Sequence, residues 1–312
     1  MADEKSRITP VPVVLFCYNR PRHLKLTIQS LKENAGAQET TLFVFSDGPR
    51  NHKDRPAVDA VHEIISGISG FAEVRITKND RNEGLAASVI NGVSRVLELY
   101  EACIVLEDDL EVSPYFLTFM NKALSAYASD YQIFSVSGYC PPIAIPRDFG
   151  FEAFRFPRIN SWGWGTWRDR WRKVDWEVQD FDVFIQNRKK NKQLERQGKD
   201  LPVMLLKQQT GKTNSWAVRF NQGCFNAGMT NVYPVRSLVR NTGADNTGTN
   251  MTASRKFSVA LADHMPEPSP AGDDERINSA FQRFFNPSIF RQTINFFKIN
   301  FYRFSRKSFH FL

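Results

Sequence analysis

Five short apolar runs, each followed by a helical or turn pattern, fill the first 140 residues, and this alternation admits few folds. Val11–Tyr18 reads as a buried strand, and Leu24, Ile28 and Leu31 follow at helical spacing. Thr41–Phe45 is a second strand, ending in the turn Ser46-Asp47-Gly48-Pro49. Val58–Ile65 reads as a helix and Glu73–Thr77 as a third strand. Leu85, Val89, Val93 and Val96 mark one helix face before a fourth strand, Cys103–Leu106. Ser113-Pro114 offers an N-cap and a first-turn proline for a helix through Tyr127, and Ile133–Val136 is a fifth strand. Near-continuous apolar strands alternating with helices predict an α/β fold, a mostly parallel central sheet with helices on both faces. Such sheets bind ligands beyond the carboxyl ends of their strands. Four polar clusters fall at those ends: Asn19-Arg20, Ser46-Asp47, Asn79–Asn82 and Glu107–Asp109.

The last cluster carries the most chemistry. In "VLEDDLEVSP" three carboxylates stand directly after a buried apolar run. Crowded carboxylates repel one another unless a cation compensates. Hard divalent cations such as Mg²⁺ or Mn²⁺ take carboxylate oxygen, and Mg²⁺ needs only one or two protein carboxylates beside substrate phosphates. The alternative is a solvated turn joining strand to helix, and its position at the mouth of a buried strand argues against that.

The segment "VLEDDLEVSPYFLTFMNKAL" resembles the metal-binding stretch of GT-A glycosyltransferases, above all the N-acetylglucosaminyltransferase I family and family 2-like sugar transferases. Other segments resemble that fold in order: "VVLFCYNRPRHLKLTIQSL" its first strand, nucleotide loop and helix, "FVFSDGP" its second strand, and "NEGLAASVINGV" a helix common in the wider group. The likeness covers roughly residues 11–250. It implies a GT-A fold with a nucleotide-binding part over 11–140 and an acceptor part over 141–263. It implies that Asp109 binds the metal, Mn²⁺ or Mg²⁺, and that Glu107 and Asp108 contact the donor's ribose and sugar. Asp47, the Cys17-Tyr18-Asn19-Arg20 loop and Arg81 would hold the nucleoside; the plainer role for Asp47 is to form the Asp-Gly-Pro turn. The reaction implied is an inverting transfer of a hexosyl or N-acetylhexosaminyl group from a nucleotide-sugar, a UDP-sugar by preference, to a glycan. A metal-dependent nucleotidyltransferase and a non-catalytic sugar-nucleotide binding module are the rival readings.

Inversion needs a carboxylate to take the acceptor's proton. The family places an Asp just before a Trp in a late helix, and the matching "TNSWAVRF" has Asn214 and Ser215 before Trp216. An amide is no general base. Position 214 is the expected site of the base, with a residue that inactivates it; otherwise the base has moved to Asp169, Asp175 or Asp245, or the register differs.

From about residue 150 the pattern changes. Five of the six tryptophans crowd into "NSWGWGTWRDRWRKVDW", and Trp164, Trp167 and Trp171 fall at helical spacing. Most are expected in the core, while Trp162, Trp164 and Trp216 are the candidates to stack on an acceptor sugar. Phe184–Lys199 reads as a charged helical stretch, followed by Trp216–Phe225 and a short strand at Asn231–Pro234. "RNTGADNTGTN", Arg240 to Asn250, has the composition of a loop that could close over a donor and exclude water. "TGKT" at Thr210–Thr213 is not a phosphate loop, because Leu206 stands where that motif needs glycine.

Charge and cysteines place the chain. The net charge is +8, yet seven Arg/Lys and no Asp or Glu lie between Arg276 and Leu312, so nearly all the excess belongs to the tail. That argues against a nucleic-acid surface spread over the fold. In the tail, Phe290, Ile294, Phe297, Phe301 and Phe304 recur at 4-3-4-3 spacing with Arg291 and Lys298 off the seam; Arg303, Arg306 and Lys307 follow. A basic amphipathic helix of this kind suits an anionic membrane surface, and the alternative is a helix docked on its own domain. Residues 264–275, rich in Pro and acid, read as a linker, so the domain would span 1–263 and the tail 276–312. Cys17, Cys103, Cys140 and Cys224 lack metal-type spacing and read as reduced thiols. No apolar run reaches membrane-span length and no signal peptide is read. The expected setting is cytoplasmic, peripheral on the inner face of a membrane, with a lipid-linked glycan of surface polysaccharide synthesis as acceptor.

Overall fold

A computed structural model describes residues 10–243 and 256–307. The strand-helix alternation forms as the sequence predicts. In chain order the elements are β1 (Val13–Cys17), α1 (Pro21–Lys32), β2 (Thr41–Ser46), α2 (Arg55–Ser66), β3 (Glu73–Lys78), α3 (Leu85–Leu99) and β4 (Ala102–Glu107). Next come β5 (Leu110–Val112), α4 (Phe116–Ala126), β6 (Ile133–Ser137), β7 (Ala153–Phe156), β8 (Trp164–Trp167) and the short α5 (Arg168–Trp171). The remainder is α6 (Phe181–Gln186), α7 (Arg188–Glu195), α8 (Leu201–Gln209), α9 (Trp216–Ala227), β9 (Thr230–Pro234), β10 (Val239–Asn241), α10 (Glu275–Phe285) and α11 (Ile289–Lys307).

Eight strands form one sheet in the order β3-β2-β1-β4-β8-β6-β9-β7. β3, β2, β1 and β4 are mutually parallel, β8 and β7 run antiparallel to their neighbours, and β6 pairs parallel with β9. This is an α/β fold with one large sheet and helices on both faces, the architecture that the resemblance to GT-A enzymes implies. The strand order reverses between β1 and β4, which makes a crevice at their carboxyl ends. β1 and β4 are buried almost throughout, because helices cover both faces. On one face α1, α2 and α4 bury Leu24, Ile28, Val61 and Phe119 against Val13, Leu15 and Ile104. On the other, α3 and α9 bury Val89, Val93 and Phe220 against Val14, Phe16 and Val105.

Four expectations change. Trp164 and Trp167 lie on β8, and only Trp171 is in a short helix, so the three do not share a helix face. β8 is inserted between β4 and β6, and its four residues are all buried, a setting that favours aromatic and small residues on a strand. The charged stretch after Phe184 is broken at Asn187, whose side chain accepts from the Lys190 amide and so starts α7. Residues 264–275 are no free linker. Tyr127 Oη donates to Pro268 O at 2.9 Å and accepts from the Ala271 amide at 2.8 Å, and Gly272 bridges to Phe154 on β7. The tail begins inside the domain too, with Ile277 and Phe281 of α10 buried against Phe154, Phe156 and Tyr233. Among the described residues no helix is long and apolar enough to cross a membrane.

Candidate active site

The carboxylate triplet sits at the end of β4, where the chain turns into β5. β1 and β4 are in register as far as Phe16 and Glu107, so the next residues of both strands meet in the crevice. The Tyr18 amide donates to Asp108 Oδ2 at 3.1 Å. Thr27 of α1 donates to Asp108 O at 2.8 Å and fixes the turn from below. Asp108 is buried, and Asp109 is partly exposed to the crevice. Arg20 reaches Asp109 Oδ2 with Nη1 at 2.8 Å, while its Nη2 lies 3.3 Å from His23 Nε2 and 3.4 Å from Gly243 O. β10 returns to pair with β5 and lays residues 241–243 over Asp109: the Thr242 amide and hydroxyl donate to Asp109 O at 2.8 and 3.0 Å. A Cβ on Gly243 would collide with Asp109 Oδ2, so a larger residue there would displace the Asp109 carboxylate and Arg20.

Burial raises all three carboxyls. It lifts Glu107 well above the carboxylate range, with repulsion from Asp109 and Asp108 adding to the effect and Arg20 opposing it. Asp108 is pushed up to about 7 by burial and then by Asp109, against the pull of the Tyr18 amide and Arg20. Asp109 is raised by burial and drawn back by Arg20. The cluster is short of positive charge.

A second knot lies at the end of β2. Asp47 is buried and accepts from the Gly48 and Glu83 amides on Oδ1 at 3.0 and 2.9 Å, and from the Gly84 amide on Oδ2 at 3.0 Å. It therefore ties the β2 turn to the loop that starts α3. Gly48 is required there: a Cβ would stand 2.5 Å from the Arg81 amide nitrogen. Arg81 itself is exposed above this turn. Tyr18 bridges toward the same turn, its hydroxyl donating to Asp54 Oδ2 at 2.7 Å and accepting from the Arg50 amide at 3.2 Å. Asn19 is half-buried beside it, and Cys17 is buried with its thiol pushed up by burial and the nearby Asp108.

Residues 13–147 match the family described as Glycosyl transferase family 2. Among solved structures it is similar to a mannosyltransferase from Pyrobaculum calidifontis in complex with GDP-Man and Mn²⁺, at 15% identity over 51% of this chain and 45% of that one, TM-score 0.34. It is also similar to S. aureus TarS, at 10% identity over 75% of this chain and 37% of that one, TM-score 0.41. A shorter TarS, residues 1–349 in complex with UDP, gives 10% identity over 73% and 59%, TM-score 0.40. The chain spans less than two thirds of the length of each of these proteins. Superpositions this loose transfer no residue roles.

The structure places the expected acceptor residues unevenly. Position 214 lies just before α9, which runs back antiparallel to the parallel strands, so it stands at the carboxyl-end face of the sheet. Asn214 is exposed and its Oδ1 accepts from Arg219 Nη2 at 2.9 Å; Ser215 is the N-cap, accepting from the Val218 amide. Asp169 is at the opposite edge. It follows β8 where the Arg168 amide donates to Glu101 O at 2.8 Å, before β4 begins. The length of β4 separates it from the triplet, on the order of 20 Å at about 3.3 Å per residue, and it pairs with Arg170. Asp175 spends both oxygens on its own loop, accepting from the Glu177 and Gln179 amides at 3.0 and 2.7 Å. Asp245 lies outside the described residues, as does most of the Arg240–Asn250 loop.

Two of the three candidate acceptor tryptophans are core residues instead. Trp164 has no exposed surface and Trp216 is 3% exposed; their rings stack at 5.0 Å. Their large apolar rings fill the layer between α9 and the sheet, which removes them from any sugar. Trp162 is half-buried at the carboxyl-end edge, edge-on to Tyr139 and Phe257.

His23 and Asp54 were not expected at the site, whereas residues 241–243 open the Arg240–Asn250 stretch read as a loop over the donor; what the sequence does not mark is the β10–β5 pairing, which joins positions about 130 residues apart and lays them on Asp109. His23 could have been found: it lies three residues after Arg20, on the same face of α1.

The family's cation fits these residues in one way. Among the described residues no group of three His, Cys, Asp or Glu side chains could hold a metal by itself. Among the described residues Asp109 Oδ1 is met by Asn241 Nδ2 at a long 3.4 Å, so this hard carboxylate oxygen is weakly held. A single carboxylate suits a cation whose remaining ligands are diphosphate oxygens and water.

Proposed function

We propose that the protein transfers a hexosyl or N-acetylhexosaminyl group from a nucleotide-sugar, a UDP-sugar by preference, to a glycan, with inversion at the transferred carbon. The observation that carries this reading is the triplet Glu107–Asp109 gathered at the end of β4 in the β1/β4 crevice, with Asp108 buried and Asp109 partly exposed and paired with Arg20. An Mn²⁺ or Mg²⁺ ion held by Asp109 and the diphosphate would supply charge neutralisation for the departing nucleotide. Arg20, already on Asp109, supplies a fixed positive charge on the same side of the crevice. Asp108, oriented by the Tyr18 amide, is placed to accept from donor hydroxyls, and Glu107 lies beside it at the strand end. Asp47 holds the two loops that would frame the nucleoside, with Cys17, Tyr18, Asn19 and Arg81 around them. Trp162 offers an aromatic edge to the acceptor, and a lipid-linked glycan of surface polysaccharide assembly is the acceptor class favoured here.

The base is the point of test. Asn214 cannot remove a proton, but its position before α9 faces the right edge of the sheet. UDP release from UDP-sugars, with Mn²⁺ and a glycan acceptor, should be slow in the natural chain and rise at least about 100-fold in Asn214→Asp, the scale of general base catalysis. Metal-dependent binding of UDP with no turnover in either protein would instead support the second reading, a sugar-nucleotide binding module, which the amide at 214 favours. Pyrophosphate release from a sugar phosphate and an NTP would support a nucleotidyltransferase.

A further inference from the structure

The tail helix is mounted with its apolar stripe outward. α11 meets the domain through Asn295 and Ile299, both buried, and through Tyr302 and Arg303. Arg303 Nε donates to Ile185 O at 2.6 Å, Gln186 Nε2 donates to Arg303 O at 3.1 Å, and Tyr302 Oη donates to Asp182 Oδ1 at 2.8 Å. Further along, Lys199 Nζ donates to Gln292 Oε1 at 3.1 Å. Residues 292, 295, 299, 302 and 303 thus occupy one side of the helix. Phe290, Phe297 and Phe301, at 7 and 4 spacing, stand on the opposite side and are 76%, 65% and 76% exposed. A surface helix ordinarily turns such a stripe toward its own core. Here the mixed polar face is bonded down and the phenylalanines are presented.

Cations border the stripe on the same helix: Arg291 and Lys298 are exposed beside it.

We infer that α11 is a docking face for an anionic lipid surface, with Phe290, Phe297 and Phe301 in the acyl boundary and Arg291 and Lys298 at the headgroups. An exposed apolar stripe edged by cations complements a layer that is apolar within and anionic at its surface. A second copy of the chain is the poorer occupant, because a two-fold contact through this face would bring like-charged rows toward each other. The inference stands apart from the transfer reading, since lipid binding is scored with neither donor nor acceptor.

The test is sedimentation of the full chain with vesicles of phosphatidylcholine alone or with phosphatidylglycerol added. Two variants keep the fold, because every changed side chain is exposed: Phe290→Ser with Phe297→Ser and Phe301→Ser, and Arg291→Gln with Lys298→Gln. The natural chain should bind the anionic vesicles, less so at high salt. The Arg291/Lys298 variant should bind about 25-fold more weakly, at about fivefold per cation near the surface, and the phenylalanine variant at least about tenfold more weakly. Undiminished binding by either variant overturns the docking face. So does a concentration-dependent dimer that dissolves in the phenylalanine variant while vesicles capture nothing.

Discussion

The two halves of the sheet treat polar residues differently. In the parallel half, β3-β2-β1-β4, every expected donor residue stays at a strand end, and backbone amides fix the two buried carboxylates, Asp47 and Asp108. In the mixed half, β8-β6-β9-β7, the residues expected to meet an acceptor scatter: Trp164 and Trp216 enter the core, Asp169 goes to the far edge, and Asp175 closes its own loop. The difference is one of connectivity. Parallel strands joined by helices put all their carboxyl ends on one side, so polarity after an apolar run locates a residue. An antiparallel insertion such as β8 reverses that rule for everything it carries.

Variants can sharpen or break this contrast. The largest effect is expected at the triplet. Asp109→Asn keeps the side-chain shape but strips the charge facing Arg20, and transfer should fall at least about 100-fold, the scale for losing one preorganised electrostatic group. Activity that survives this change would disconnect the triplet from the chemistry. In the mixed half the effect should appear in stability instead. Trp164→Ala removes a fully buried ring stacked on Trp216 and Trp171, and urea unfolding should show a loss of about 3–5 kcal/mol. Smaller and confined to the donor is Gly48→Ala. Its Cβ would press on the Arg81 backbone and push the 79–84 loop off Asp47, raising the donor KM roughly tenfold, or about 1.4 kcal/mol, with kcat little changed. The smallest is Trp162→Ala, expected to raise the acceptor KM a few-fold and cost about 1 kcal/mol of stability or less, since its ring is already partly in solvent. A loss of stability at Trp162 equal to that at Trp164 would erase the distinction between the two tryptophans.

Much of the donor half was legible because short-range rules sufficed there. Apolar runs gave the strands to within two or three residues at each end, and the triplet announced itself as charge next to a buried strand. Asp47 shows where such reading stops. An Asp-Gly-Pro turn is visible in the sequence, but its carboxylate is committed to the Glu83 and Gly84 amides, partners brought by the β2–β3 pairing and the entry to α3. The tryptophans misled because their spacing fits a helix as well as it fits a short strand with a turn after it. Residues 264–275 misled because Pro and acid suggest solvent, whereas Tyr127 supplies a buried hydroxyl that holds them.

The sequence by itself determined the parallel half of the sheet, the family 2 character of residues 13–147 and the carboxylates at the mouth of β4, all of which depend on neighbours close in the chain. Tertiary structure alone decided which cation meets Asp109, which tryptophans are left for solvent, and which face of α11 looks outward. Those outcomes rest on contacts between residues some 50 to 220 positions apart. No local pattern encodes such pairings, because only the burial of competing surfaces in the assembled fold selects among them.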